Sequence, residues 1–254
     1  MPKCCSKPEI DRRGILALAG IGVPTALAGL SGAPRFAAAA EQSTRPQTPD
    51  EALAALKEGN ARYVNAAELC VAKPSKQRAN VATGQSPWAT IVACADSRVP
   101  PELIFGGLGL GELFVARNAG NQVDTQTIGT VEFGSAVLGS SLIVVLGHSR
   151  CGAVQAACDV VTENATFPGS IGPMIDPIVP AALAVRDAPG DFLANTIRES
   201  ALRTAARLTS ASTILSDLAK ADKIKIVAAE YDLETGKVDF FEEATQGSAL
   251  FTKG

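Results

Sequence analysis

Ser141-Leu142-Ile143-Val144-Val145-Leu146 runs without a break into Gly147-His148-Ser149-Arg150-Cys151-Gly152. An aliphatic run of this kind, ended by glycine, reads as a strand covered on both faces, as found inside parallel sheets. Working outward, Ala89–Ala95 repeats the pattern, with Ile91 and Val92 lying between Pro87 and Asp96-Ser97. Leu113–Ala116 and Lys223–Glu230 are further candidate strands, and Glu234-Thr235-Gly236 turns the chain into Lys237–Phe241. Helical stretches alternate with them: Val131–Leu138, Ala153 to about Val161, and Phe192–Ala219, which is long enough for two helices. At the front, Thr48 can cap a helix reaching about Val64, with Pro49 in its first turn and Glu51 placed to close a capping box. Strands alternating with helices predict an α/β fold: a mostly parallel central β-sheet flanked by helices, with an N-terminal helical arm over residues 48–70.

The two clearest strands end in chemistry. One runs into Cys94-Ala95-Asp96-Ser97-Arg98, the other into His148 and Cys151. Carboxyl ends of parallel strands share one edge of the sheet, the usual place for a site. His148 and Cys151 lie one helical turn apart and can face a common point. Two thiolates and an imidazole are soft ligands that suit zinc, and they leave a fourth tetrahedral position. Asp96 follows Cys94 by two residues, on the same side of an extended segment. Arg98 can hold it ionised through a two-pronged ion pair. An ionised Asp96 only accepts hydrogen bonds, so it either orients a water on the metal or fills the fourth position itself. A cysteine ending a buried strand is ordinarily a small hydrophobe. A closed structural site would also recruit Cys70 or Cys158, and neither has knuckle-like spacing. Three ligands converging beside an Asp-Arg pair favour the open, catalytic arrangement.

Composition narrows the classes. A chain of 254 residues, 46% apolar and 19% charged, suits a folded domain with a sizeable core. The 23 basic and 26 acidic residues give a net charge of −3, so no basic excess awaits phosphates and nucleic acid is not an expected partner. Six cysteines are too few for a disulfide scaffold, and His148 is the one histidine. Gly106–Gly111 reads as a loop that needs backbone freedom, and Arg198, Arg203 and Arg207 read as a solvated helix face. Residues 1–40 differ from the rest. Lys3, Lys7, Arg12 and Arg13 precede a weakly apolar stretch from Gly14 to about Ala33, and Ala37–Ala40 follow. Basic start, apolar middle and small-residue end are the parts of an export signal, and Arg12-Arg13 resembles a twin-arginine signal. The expectation is a cleaved signal that engages export machinery, leaving residues 41–254 in the periplasm or outside the cell. A retained segment would anchor the chain in a membrane.

Cys94-Ala95-Asp96-Ser97-Arg98-Val99-Pro100 and Gly147–Gly152 closely resemble the two metal motifs of the β-class carbonic anhydrases. Gly111-Glu112-Leu113-Phe114-Val115-Ala116-Arg117-Asn118-Ala119-Gly120-Asn121 resembles the segment between those motifs, and Leu56–Tyr63 is similar to the family's N-terminal arm. The resemblance spans about residues 48–240 and implies reversible hydration of carbon dioxide to bicarbonate and a proton by zinc-bound hydroxide. It implies one Zn2+ per subunit on Cys94, His148 and Cys151, with Asp96 and Arg98 as the catalytic pair. Gln85 matches a glutamine that binds substrate from the neighbouring subunit. Phe114 matches an aromatic pocket wall, and Phe133 stands where many relatives have Tyr. Gly152 matches a glycine whose backbone faces the substrate. A homodimer or homotetramer with an exchanged arm is implied. Ile91 occupies the position of a Trp found in bicarbonate-regulated relatives, which argues against that allosteric site. Two other readings stay open: hydrolysis of carbon disulfide or carbonyl sulfide on the same fold, and a non-catalytic, zinc-stabilised binding protein.

Overall fold

The structure is a computed structural model that describes residues 45–70 and 74–241. The candidate signal, residues 1–40, lies outside them. Helix α1 (Pro49–Ala66) leads through a short 3-10 turn to α2 (Pro74–Val81) and strand β1 (Ala89–Cys94). Then come α3 (Pro101–Ile104), β2 (Leu113–Asn118), α4 (Thr125–Glu132), a π-helical turn over Phe133–Val137, and β3 (Leu142–His148). Helices α5 (Gly152–Glu163), α6 (Ile171–Ile175), α7 (Val179–Ala184), α8 (Phe192–Ala211) and α9 (Thr213–Lys220) precede β4 (Lys225–Tyr231) and β5 (Val238–Phe241). The five strands form one sheet in the order β2-β1-β3-β4-β5, parallel throughout except for β5. The expected mostly parallel, helix-flanked sheet is what the chain forms.

Burial follows the two-residue period of each strand. Leu142, Val144 and Leu146 join Ile91, Ala93, Val227 and Ala229 on one face, under Ala52 and Leu56 of α1 and Ile104 of α3. Ile143 and Val145 join Val92, Ile226 and Ala228 on the other, under Ala201, Ala205 and Leu208 of α8 and Leu215 of α9. β3 therefore shows no alternation in its sequence, because both of its faces are core. The arm is fixed by the expected capping box: Thr48 accepts from the Glu51 N–H and Glu51 reaches back to the Thr48 N–H. In this chain α1 lies on its own sheet.

Several elements refine the sequence reading. The Val131–Leu138 helix is the end of α4 followed by the π-helical turn. Phe192–Ala219 is two helices, broken at Ser212, which is extended (φ −127°, ψ 115°) and caps α9 through its side chain. Gly106 and Gly107 do take positive φ (92° and 74°), and a Cβ on either would strike the backbone of Gly59 or Cys70. The arginines of α8 are not simply solvated. Arg198 pairs with Asp239 and lies 3.7 Å over the Phe241 ring, Arg203 pairs with Glu199, and Arg207 donates to the Val123 carbonyl. They are struts within the domain. No helix among the described residues is long and apolar enough to cross a membrane.

Candidate metal centre

The register brings the ligands together. Ala93 of β1 pairs with Leu146 of β3, so Cys94 and His148 both emerge at the carboxyl edge of the sheet. Cys151 follows three residues later as the N-cap of α5. The ligand atoms of Cys94, His148 and Cys151 lie within 4.8 Å of one another, and all three residues are buried. Neither Cys70 nor Cys158 joins them. The Cys70 thiol faces the Ala66 carbonyl and Cys158 bonds Thr196 Oγ1 at 3.5 Å.

Zinc fits this donor set. The two sulfurs are 4.0 Å apart, against about 3.8 Å for a tetrahedral edge built from Zn–S bonds of about 2.3 Å. His148 Nδ1 lies 2.9 Å from the Ser149 carbonyl, which accepts its N–H. Nε2 is left with a lone pair, buried and without a hydrogen-bond partner. The sulfurs are prepared for a cation. The Gly120 N–H points at Cys94 Sγ from 3.4 Å. The Cys94 thiol is pulled down to about 4, first by the hydrogen bond from Cys151 and further by His148 and the backbone N–H groups of Gly120 and Asp96, against the opposing effect of burial. Cys151 is pushed up because it keeps the shared proton, although the Val154 and Ala153 N–H groups at the start of α5 oppose this. Burial alone would lower the His148 pKa; the negative charge of Cys94 beside it outweighs this and raises it. A dication displaces the shared proton, so loading is coupled to proton release.

Asp96 stands on the solvent side, with Oδ2 3.8 Å from His148 Nε2. Arg98 donates to it with two prongs, Nε to Oδ1 at 2.9 Å and a terminal nitrogen to Oδ2 at 2.7 Å. That guanidinium holds the Asp96 carboxyl well below the usual carboxylate range, with burial opposing only in part. Behind the pair, Arg117 of β2 donates to the Cys94 carbonyl at 2.9 Å and to the Asp96 carbonyl at 2.6 Å. This brace on the metal loop was not evident from spacing.

The pocket candidates divide. Gly152 lies beside Cys151 at the first turn of α5, and a Cβ there would meet nothing within 4 Å. Gln85, Phe114 and Phe133 do not join the centre of their own chain. Gln85 is exposed ahead of β1, and β1 alone spans roughly 17 Å. Phe114 pairs with Thr90 near that same far end, and its ring lies 6.2 Å from that of Phe133, which is 43% exposed. Gly120 is the residue that sequence reading passed over. Its φ of 77° favours glycine, and a Cβ there would fall 2.6 Å from Ile178 Cδ1. The one signal was its place in a glycine-containing turn after β2.

A buried Cys₂His cluster at the carboxyl edge of a mostly parallel α/β sheet suits the class of catalytic zinc proteins, whose ion has three protein ligands and one open position. Residues 89–238 match the carbonic anhydrase family. Carbonic anhydrase 2 of Mycobacterium tuberculosis is 35% identical over 189 residues, which cover 74% of this chain and 91% of that protein. The carbonic anhydrase of Mycolicibacterium smegmatis is 35% identical over 195 residues, 75% of this chain and 92% of that one. One of the tetrameric β-carbonic anhydrases of Sordaria macrospora superposes with a TM-score of 0.58, at 23% identity, over 76% of this chain and 98% of that one. The chain belongs to the carbonic anhydrase family and has the fold of its β class.

Proposed function

We propose that this protein catalyses the reversible hydration of carbon dioxide to bicarbonate and a proton. The observation that carries the reading is the buried Cys94–His148–Cys151 triangle beside an intact Asp96–Arg98 pair. Cys94, His148 and Cys151 would hold the zinc. Bound there, zinc supplies a hydroxide nucleophile near neutral pH and polarises substrate oxygen. Asp96, held ionised by Arg98, would accept a hydrogen bond from the attacking group and so orient it. Arg98 occupies both carboxylate oxygens, which favours this orienting role over a fourth-ligand role. Arg117 holds the loop that carries them. Gly152 leaves the substrate side open to its backbone. No second histidine is available as a proton shuttle, so the product proton passes to buffer.

Gln85, Phe114 and Phe133 serve the centre of a neighbouring subunit in this reading. Their place at the far end of the sheet supports it, and so does β2 as a half-buried edge strand beside them. A homodimer or homotetramer follows. Residues 1–40 act as a twin-arginine-like signal that delivers residues 41–254 to the periplasm or the outside.

Stopped-flow hydration of carbon dioxide by the zinc-loaded chain tests the activity. Fast turnover abolished by a chelator is expected. Zinc bound at one equivalent without turnover would overturn the reading; competition with carbonyl sulfide or carbon disulfide would then test the hydrolase reading.

A further inference from the structure

The sulfur side of the centre is covered by residues 166–188, which contain α6 and α7. Ile175 and Ile178 are 1% and 0% exposed and pack in one apolar cluster with Cys94, Cys151, Val154 and Ile197. Ile178 touches Gly120 itself: a Cβ on that glycine would fall 2.6 Å from Ile178 Cδ1. Gly120 is the residue whose N–H points at Cys94 Sγ. The way this cover is attached is unusual. Among the described residues, every hydrogen bond made by residues 166–188 stays inside the segment, and none of its charged side chains forms an ion pair. Apolar burial fastens it to the domain between two bonded ends, where the Ala165 N–H donates to the Asp159 carbonyl and Asn195 donates to the Pro189 carbonyl.

We propose that residues 166–188 form a cap that governs metal retention, with Ile178 as the positioning residue that presses Gly120 onto Cys94 and keeps water from both sulfurs. A bound ion exchanges only when water or a competing ligand can reach its thiolates. The cap denies them water while the Asp96 side stays open to substrate. A segment without directional bonds to its support lifts as a local unit, below the cost of global unfolding. The cap therefore sets the exchange rate of the metal and the reactivity of the empty thiols. This inference rests on Cys94, His148 and Cys151 being the zinc centre.

The test compares the full chain with Ile178→Ala, Ile178→Val and Leu208→Ala. Leu208 is equally buried, on the opposite core face, and controls for general loss of stability. Zinc transfer to a chromogenic chelator is timed first. Ile178→Ala should release zinc at least tenfold faster than the parent, Ile178→Val by a smaller factor, and Leu208→Ala at about the parent rate. The metal-free proteins are then alkylated with iodoacetamide and mapped by mass spectrometry, with Cys70, outside the cluster, as internal reference. Cys94 and Cys151 should label faster in Ile178→Ala, relative to Cys70. Parent-like release and labelling in Ile178→Ala would overturn the cap, as would equal acceleration by Leu208→Ala. A parent chain that binds no zinc would overturn the metal reading instead, and the labelling comparison would still judge the cap.

Discussion

At the scale of single residues, Asp96 is the most informative position. Its two-pronged bond to Arg98 makes it a fixed acceptor, so Asp96→Asn should keep its zinc and lose turnover by roughly 10- to 100-fold. Metal analysis alongside stopped-flow rates checks this. Cys94→Ser should instead lose the metal. The depressed Asp96 pKa also ties the pair to stability. A carboxylate lowered in the folded state contributes stability that is fully present above about pH 4, its unfolded value. That contribution is lost as pH falls through the folded value. Denaturant midpoints of the parent and Arg98→Ala should therefore differ most near neutrality and converge as the solution is acidified below about pH 4. Both Asp96 and Arg98 were legible in sequence, because an acceptor and a fork at two-residue spacing have few other uses beside a cysteine.

Among the elements, α1 shows how much a single buried amide can hold. Asn60 donates to the Ile104 and Gly236 carbonyls and accepts from the Val238 N–H, at 3.2, 2.9 and 2.9 Å. It joins the arm to α3 and to the β4–β5 turn. Asn60→Ala strands three backbone groups and should cost about 2–3 kcal/mol in urea unfolding. The strands and the long helices were readable because burial on both faces, or on one helical stripe, leaves a periodic mark. Helix α2 was missed because Pro74–Val81 is polar all round. Helices α6 and α7 were missed because Gly172, Pro173, Pro177 and Pro180 read as loop. They form because Ile175 and Ile178 are buried against the sulfur side of the sheet edge, a tertiary reason that no local window contains. For the same reason Ile178 and Gly120 escaped notice as parts of the site. Their roles exist only through contact with each other.

For the whole molecule, the distribution of pocket residues predicts a composite site. Neither Cys94→Ser, which keeps Gln85, nor Gln85→Ala, which keeps the ligands, should be fully active alone. Refolding the two variants together should restore turnover above that of either one, measured at constant total protein. No gain on mixing would place Gln85 outside the working pocket. The strand order, which was not legible from sequence, has a further consequence. Cys94 and His148 sit on neighbouring strands, yet the whole of β2 and α4 lies between them in the chain. An ion held by Cys94, His148 and Cys151 would complete its ligand set only once that long crossover has closed, and would then latch a finished sheet. Interactions formed after the rate-limiting step appear in the unfolding rate alone. Stripping the metal should therefore hasten unfolding and leave the speed of refolding unchanged.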